Sequence, residues 1–193
     1  MESDCYTRLE SKTLSDEALK LYNDNLHLTK KVKLYYNLYY CDAIHHPKDT
    51  WLKHGEDENV EVMSQYFLKY TPGAFARAHS DDNNKVVKTA ITLIDKSDDL
   101  EGGDIIVYEP HYKSDMEVNE NTINRYDPNN YREGDTTCPV IVKQSVGETI
   151  EYAYNVKHSV SKVLKGYRTV LVTWYCKRGQ ASTVHWEKNV EKK

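Results

Sequence analysis

The chain centres on His79-Ser80-Asp81, which follows the stretch Val62-Met63-Ser64-Gln65-Tyr66-Phe67-Leu68-Lys69-Tyr70 and the residues Pro72-Gly73. Alternating apolar residues are typical of a β-strand, and Pro next to Gly is typical of a turn. On an extended backbone, side chains two residues apart point the same way, so the spacing predicts that His79 and Asp81 share one face.

An imidazole and a carboxylate on one face have a specific chemical use. With a second histidine they form the facial triad that binds Fe(II) and leaves coordination positions open. His-x-Asp alone is a short pattern that arises often by chance. The remainder of the chain therefore decides whether His79 and Asp81 are metal ligands.

The composition is that of an ordinary single-domain protein. The chain has 193 residues, 39% hydrophobic and 29% charged, which is enough to bury a core without disulfide or metal staples. Sixteen tyrosines against two phenylalanines favour strands. A net charge of −4, with no long run of Lys or Arg, argues against nucleic acid as a partner.

The cysteine and hydropathy patterns predict a cytoplasmic protein. The four cysteines are widely scattered and form no Cys-x-x-Cys motif, which argues against a zinc ribbon or disulfide framework and suits a reducing compartment. The sequence opens without an apolar signal region, and no stretch approaches the length of a membrane span. We therefore expect no membrane partner. The oligomeric state is not indicated.

Residues 1–59 predict a helical and aromatic segment that supports the core. Ser15 followed by two acidic residues is typical of a helix start, and apolar residues then recur at helical spacing. We expect a helix over 15–27, packed on the outside of a sheet. Residues 33–40 are aromatic and strand-like, and their pattern also allows a second helix.

Two adjacent histidines, His45 and His46, stand before Pro47. On an extended chain neighbouring side chains point to opposite faces, and Pro indicates a turn. We therefore expect exposed loop histidines here rather than metal ligands. A charged surface connection follows over 47–59.

From residue 60 onward the pattern indicates strands throughout. Short strands separated by Gly, Pro and Asn-Asp clusters indicate an all-β sandwich or barrel. The predicted strands are 60–70, 76–81, 86–95, 104–109, 139–144, 149–156, 158–164 and 167–176. Residues 109–137 lack strand periodicity. A loop this long inside a compact domain is either functional or disordered.

Further residues join His79 and Asp81 as candidates for a site. Paired glycines at Gly102-Gly103 permit a tight turn, and Lys165-Gly166 predicts a hairpin turn between the strand that begins at His158 and the last strand. Alternation along that last strand puts Arg168 on one face with Val170, Val172 and Trp174. An arginine in an apolar cavity is costly unless it meets an anion, either a ligand or a carboxylate of the protein.

In their order and spacing, these residues resemble the prolyl 4-hydroxylase-like branch of the Fe(II)/2-oxoglutarate-dependent dioxygenases. In that family a Tyr-x-x-Gly segment precedes His-x-Asp, a strand ends in Gly-Gly plus an acidic residue, and a distal histidine lies ten residues before a basic residue. The matching positions run from about Gln65 to Tyr175 and are Tyr70-Thr71-Pro72-Gly73, His79-Ser80-Asp81, Gly102-Gly103-Asp104, His158, Arg168 and the closing Trp174.

The resemblance implies a fold and a ligand set. The fold is mainly β: a double-stranded β-helix (jelly-roll, cupin-like) over 60–176 within a single domain, 1–193. His79, Asp81 and His158 look like the Fe(II) ligands. The distal carboxylate of 2-oxoglutarate would pair with Arg168, whose planar fork suits bidentate binding, and Tyr70 would hydrogen-bond the cosubstrate.

Two positions depart from the family pattern. The family often has a tyrosine three residues before the first metal ligand, where this chain has Ala76. A second tyrosine, which commonly helps to hold the distal carboxylate, aligns with Thr92. Thr92 retains a hydroxyl on a shorter side chain, so we predict that it binds the cosubstrate together with Arg168 and Tyr70.

The resemblance implies an enzyme that uses Fe(II), 2-oxoglutarate and O2 to hydroxylate a substrate C–H, with release of succinate and CO2 and with ascorbate as a candidate reductant. The substrate expected for this branch is a prolyl residue of a peptide or protein. Residues 41–59 and 109–137 are candidates for closure over it. Two alternatives stay open: an oxygenase acting on a free amino acid, small metabolite or nucleobase, and a non-catalytic cupin-like binding protein.

Overall fold

A computed structural model of the chain describes residues 5–35, 39–81, 85–110 and 137–181. Most of the predicted loop 109–137 lies outside these residues, and so does part of the strand-like stretch 33–40. Within the described part, no helix is both long enough and apolar enough to cross a membrane.

The described residues form one α-helix, two short 3-10 turns and eleven strands. The helix α1 spans Lys12–Asp24, and the 3-10 turns span Leu26–Leu28 and Lys48–Thr50. The strands are β1 (Thr7–Glu10), β2 (Lys30–Tyr35), β3 (Tyr39–Ile44), β4 (Val60–Tyr70), β5 (Phe75–His79), β6 (Lys88–Lys96), β7 (Ile105–Pro110), β8 (Thr137–Val142), β9 (Glu148–Ala153), β10 (His158–Val160) and β11 (Arg168–Lys177).

All eleven strands belong to one antiparallel sheet that curls on itself. Their order is β1-β9-β6-β11-β4-β3-β5-β10-β7-β8, and β2 pairs with β3 outside this path. Strand β3 joins the two halves because Asp42 pairs with Lys69 of β4 while Tyr40 pairs with Phe75 of β5. One half is therefore β9-β6-β11-β4 and the other is β5-β10-β7-β8. This is the double-stranded β-helix that the resemblance implied, so the predicted fold is confirmed.

The two faces of the β9-β6-β11-β4 half bury different groups. Its inner face packs against the other half; Ile91, Val170 and Val172 are among the buried residues of that core. Its outer face is covered by α1, where Tyr22 packs edge-on against Phe67 with ring centroids 5.5 Å apart. The predicted position of the helix outside the sheet is confirmed.

The helix begins earlier than predicted. The side chain of Ser11 accepts a hydrogen bond from the Leu14 backbone N–H at 3.2 Å, which is the usual role of an N-cap residue. Ser15 is instead buried within the helix. The acidic residues that suggested a first turn fall one turn later, and a strand, β1, precedes the helix where no periodic signal is visible.

The segment before β4 also differs from prediction. The described residues of the strand-like stretch 33–40 belong to two strands, β2 and β3, which form an antiparallel pair with Val32 opposite Cys41. His45 is exposed as predicted, whereas His46 is buried. The His46 ring packs 5.0 Å from that of Phe67, and its Nδ1 lies 2.8 Å from Thr50 Oγ1. The 3-10 turn that carries Thr50 therefore draws this histidine inward.

Each strand predicted from residue 60 onward has a counterpart, β4 to β11, but one pairing was wrong. A hairpin across Lys165-Gly166 would pair β10 with β11. In the structure β10 pairs with β5 and β7, and β11 pairs with β4 and β6. The turn therefore carries the chain from one half of the sheet to the other.

Candidate active site

The three predicted metal ligands converge because of strand pairing. His158 on β10 lies directly opposite His79 on β5, and Asp81 follows just after the end of β5. The Nε2 atom of His79 is 3.7 Å from Asp81 Oδ1, and the Nε2 atom of His158 is 3.9 Å from Asp81 Oδ2. One ligand atom from each residue lies within 4.8 Å of the others. The arrangement fits a facial triad around one cation.

The backbone orients both histidine rings toward the centre of this group. His79 Nδ1 lies 2.6 Å from the carbonyl oxygen of Arg77, and His158 Nδ1 lies 3.0 Å from that of Val156. A carbonyl oxygen can only accept, so Nδ1 carries the proton and Nε2 presents a lone pair. Such partners fix the tautomer and orientation of metal-ligating histidines.

Asp81 is held by a residue that the sequence did not single out. The Oγ1 hydroxyl of Thr89, on β6, donates to Asp81 Oδ2 at 2.6 Å, and both side chains are buried. Because Thr89 belongs to the opposite half of the sheet, no local pattern connects it with Asp81. The alternation along β6 indicates only that Thr89 faces inward, on the same side as Ile91.

The electrostatics of the group suit a cation. Burial and the neighbouring His158 ring lower the pKa of His79 to about 4, so its imidazole is neutral at physiological pH and can act as a ligand. Asp81 is only 7% exposed. A cation between the three side chains would offset the cost of burying the Asp81 carboxylate.

A cavity extends from these ligands between the two halves of the sheet. Aromatic and aliphatic side chains form most of its lining, and the polar groups are few. The lining includes Tyr66, Leu68, Tyr70, Ala76, His79, Asp81, Thr89, Ile91, Tyr152, His158, Val160, Arg168, Val170, Val172 and Trp174. Five of the predicted site residues therefore share one cavity, as does the small residue Ala76.

Arg168 is the cation of this cavity, and it is only 3% exposed. Its Nη1 donates to the carbonyl oxygen of Gly103, and its Nη2 donates to Gln144 Oε1 at 2.7 Å. Within the described part of the chain its Nε has no hydrogen-bond partner. Burial lowers the pKa of Arg168 to about 10, so it remains charged at neutral pH.

Tyr70 lies beside this arginine. It pairs with Arg168 across β4 and β11 and is buried. Burial raises the pKa of Tyr70 well above its usual range, so the phenol keeps its proton and can donate a hydrogen bond.

Thr92 does not reach the cavity. Its hydroxyl lies 2.7 Å from that of Thr149 on β9, whereas Thr89 and Ile91 of the same strand line the cavity. Side chains of a strand alternate between its faces, so Thr92 points to the outer face of the sheet. The predicted contact between Thr92 and the cosubstrate is therefore wrong. The polar side chain that contacts Arg168 is instead that of Gln144.

Solved structures share this fold. The chain has the double-stranded β-helix fold of the 2OG-Fe(II) oxygenases, although no protein-family model and no curated protein sequence matches it. It is similar to a prolyl-4-hydroxylase from Pseudomonas putida, with 14% identity, coverage of 90% of this chain and 93% of that one, and a TM-score of 0.56.

Two further solved structures share the fold. A prolyl hydroxylase from Trichoplax adhaerens, in complex with a hypoxia inducible factor peptide fragment, is 10% identical over 90% of this chain and 84% of that one, with a TM-score of 0.57. The non-heme alpha ketoglutarate dependent carbocyclase SnoK from nogalamycin biosynthesis is 14% identical over 89% and 79%, with a TM-score of 0.63. These TM-scores show a shared fold, and identities this low do not identify a substrate.

Proposed function

We propose that this protein is an Fe(II)- and 2-oxoglutarate-dependent dioxygenase that hydroxylates a substrate C–H. The observation that carries the proposal is one cavity that holds a His-Asp-His group and a buried Arg168, whose Nε has no partner among the described residues. The ligand set suits Fe(II). A guanidinium N–H of this kind suits a carboxylate ligand, because a buried donor without a hydrogen bond costs free energy.

Each residue then has a distinct task. His79, Asp81 and His158 would hold Fe(II) through two Nε2 atoms and a carboxylate oxygen. Arg168 would bind the distal carboxylate of 2-oxoglutarate, and Tyr70 would donate a hydrogen bond to the cosubstrate. Fe(II) and 2-oxoglutarate, when bound, supply the oxidation by O2, with loss of CO2 and formation of succinate. The aromatic lining would exclude water from the reaction.

For the substrate, we propose a prolyl residue of a peptide or protein. Two of the solved structures that share the fold are prolyl hydroxylases, and one of them is bound to a peptide. The segment 41–59 borders the cavity, because the His45 ring lies 5.3 Å from that of the lining residue Tyr66. The exposed His45 side chain would therefore lie next to a substrate at this edge. The proposed lid 109–137 lies largely outside the described residues.

The second candidate substrate is a small metabolite. It is supported by the carbocyclase from nogalamycin biosynthesis, whose structure has the same fold. A cytoplasmic location also stays a proposal, supported by the wide spacing of the four cysteines and the lack of a Cys-x-x-Cys motif.

Succinate release and substrate oxidation test the proposal together. The protein is incubated with Fe(II), 2-oxoglutarate and a panel of proline-containing peptides, and the peptides are examined for the mass gain of one oxygen atom. We expect Fe(II)-dependent succinate release coupled to hydroxylation of proline. Parallel reactions with and without ascorbate test the predicted reductant.

The contrary results separate the alternatives. Turnover of a small metabolite, with no hydroxylation of any proline peptide, would refute the proposed prolyl substrate but support the proposed dioxygenase reaction. No Fe(II)-dependent succinate release with any substrate class would favour a non-catalytic, cupin-like binding protein.

A further inference from the structure

We propose that Gln144 is a positioning residue that orients Arg168 without cancelling its charge, so that the arginine remains free to bind the distal carboxylate of a 2-oxo dicarboxylic acid. This inference rests on the proposed function. It concerns a residue from the turn between β8 and β9, which belong to different halves of the sheet.

All the polar groups of the Gln144 amide have partners. Its Oε1 accepts from Arg168 Nη2 at 2.7 Å, and its Nε2 donates to the carbonyl oxygens of Ile91 at 2.9 Å and Glu148 at 3.1 Å. Rotating the amide by half a turn would place its NH2 against the guanidinium and its oxygen against two carbonyls. These neighbours therefore fix which end of the amide faces Arg168.

The turn that carries Gln144 is itself anchored. Glu148 Oε2 accepts from the Ser145 backbone N–H at 2.5 Å, and Glu148 Oε1 lies 3.1 Å from Arg8 Nη1. The Gly147 N–H donates to the Leu93 carbonyl at 2.9 Å. These contacts tie the turn to β1 and β6, so Gln144 is presented to Arg168 from a fixed position.

The second partner of Arg168 is also neutral. The carbonyl of Gly103 approaches the guanidinium closely, and Gly103 has a φ of +72°, which favours glycine. A Cβ at this position would lie 3.1 Å from Arg168 Cδ. Two neutral acceptors thus orient the guanidinium, and among the described residues none takes its Nε–H, which is left for a ligand.

A carboxylate at position 144 would reverse this effect. Gln and Glu have nearly the same shape, but a glutamate would form a buried ion pair with Arg168 and compete with the ligand for it. Asp104 already interacts electrostatically with Arg168. A second acidic group would leave this end of the cavity with excess negative charge and repel a dicarboxylate.

The test measures binding without turnover. Calorimetry of the full chain loaded with Mn(II) under anaerobic conditions compares 2-oxoglutarate with 2-oxobutyrate, which has the same keto acid group but no distal carboxylate. The variants are Gln144→Glu and Gln144→Met. Gln180→Glu is the matched control, because Gln180 is exposed and the change adds the same charge at the surface.

We expect Gln144→Glu to weaken 2-oxoglutarate binding at least about tenfold through competition for the buried arginine, and Gln144→Met only about threefold through loss of one oriented hydrogen bond. Binding of Mn(II) and of 2-oxobutyrate should not change, and Gln180→Glu should behave like the wild type. The difference between the two ligands isolates the distal carboxylate from any effect on the metal.

Several results would overturn the inference. These are an unchanged 2-oxoglutarate affinity in Gln144→Glu, an equal loss in the glutamate and methionine variants, or a matching loss for 2-oxobutyrate. If Gln144→Glu fails to fold, Gln144→Met decides, and an unchanged affinity there contradicts the proposal. A wild-type protein that binds no 2-oxoglutarate with Mn(II) would refute the proposed function and the inference with it.

Discussion

The two ends of the cavity are built in different ways. At the metal end, each histidine is oriented by the carbonyl of a residue two positions earlier, and one strand pairing brings the rings together. At the arginine end, Arg168 depends on Gly103 and Gln144, which are distant in sequence. Local contacts therefore orient the histidine rings, whereas long-range contacts alone orient the arginine at the anion site.

The difference also appears in what each end leaves unsatisfied. At the metal end, the histidine Nδ1 atoms and one Asp81 oxygen each have a hydrogen-bond partner in the protein. Arg168, by contrast, has a buried Nε without a hydrogen-bond partner in the part of the chain that the structure describes. The two ends should therefore respond separately to substitution, and the following predictions test that independence.

The largest effect is expected for His158→Ala. Loss of one ligand from a three-residue set should abolish Mn(II) binding and Fe(II)-dependent turnover, and the fold should be retained because the strand pairing does not depend on the imidazole. Metal titration and circular dichroism measure the two outcomes. His27→Ala is the control, since His27 is exposed. Normal metal binding in His158→Ala would remove this residue from the site.

Arg168→Leu should affect only the other end. Mn(II) should still bind, and the affinity for 2-oxoglutarate should fall about a hundredfold, because a desolvated charge partner is lost. Calorimetry with the metal-loaded protein measures both constants. Lys165→Leu, which removes the same charge from an exposed side chain, should leave both unchanged. A parallel loss of metal binding in Arg168→Leu would show that the two ends are coupled.

Thr89→Val should weaken the metal end moderately. The change removes the hydroxyl that supports Asp81, and loss of such a supporting contact lowers metal affinity about tenfold or more. Competition against a chelator measures this affinity. Thr92→Val is the matched control, because its hydroxyl lies on the opposite face of the same strand. Equal effects of the two valines would contradict the assignment of their faces.

The smallest effect concerns stability away from the cavity. Burial lowers the pKa of His46 to about 4, so between that pH and about 6.5 the unfolded chain binds a proton that the folded chain does not. The free energy of unfolding should therefore fall as the pH drops through this window, with His46 contributing about 3 kcal/mol. Urea titrations of the metal-free protein measure it.

In the same experiment, His46→Leu should lose this part of the pH dependence. His54→Leu, at an exposed position, should keep it. An unchanged slope in His46→Leu would place the acid sensitivity elsewhere, for example at His79, whose pKa is also lowered.

The sequence predicted best the features that repeat along the chain. Strand β4 spans Val60–Tyr70, as the alternation indicated, and the inward face of β11 carries Arg168 with Val170 and Val172. The prediction that Thr92 contacts the cosubstrate was wrong. Side chains along a strand alternate with a period of two, so an alignment shift of one residue moves a side chain to the other surface of the sheet. The burial of His46 depended on a contact with Phe67 that no local pattern contains.

The sequence by itself determined the strand periodicity and the ordered spacing of His79, Asp81, His158 and Arg168, and the family resemblance carried by that spacing implied the double-stranded β-helix. These are properties of neighbouring residues or of intervals along one chain. Only the tertiary structure decided which strands pair, that Thr89 supports Asp81, and that Gln144 faces Arg168. Those contacts join residues from distant strands and turns, and their geometry exists only once the sheet has curled and brought its two halves together.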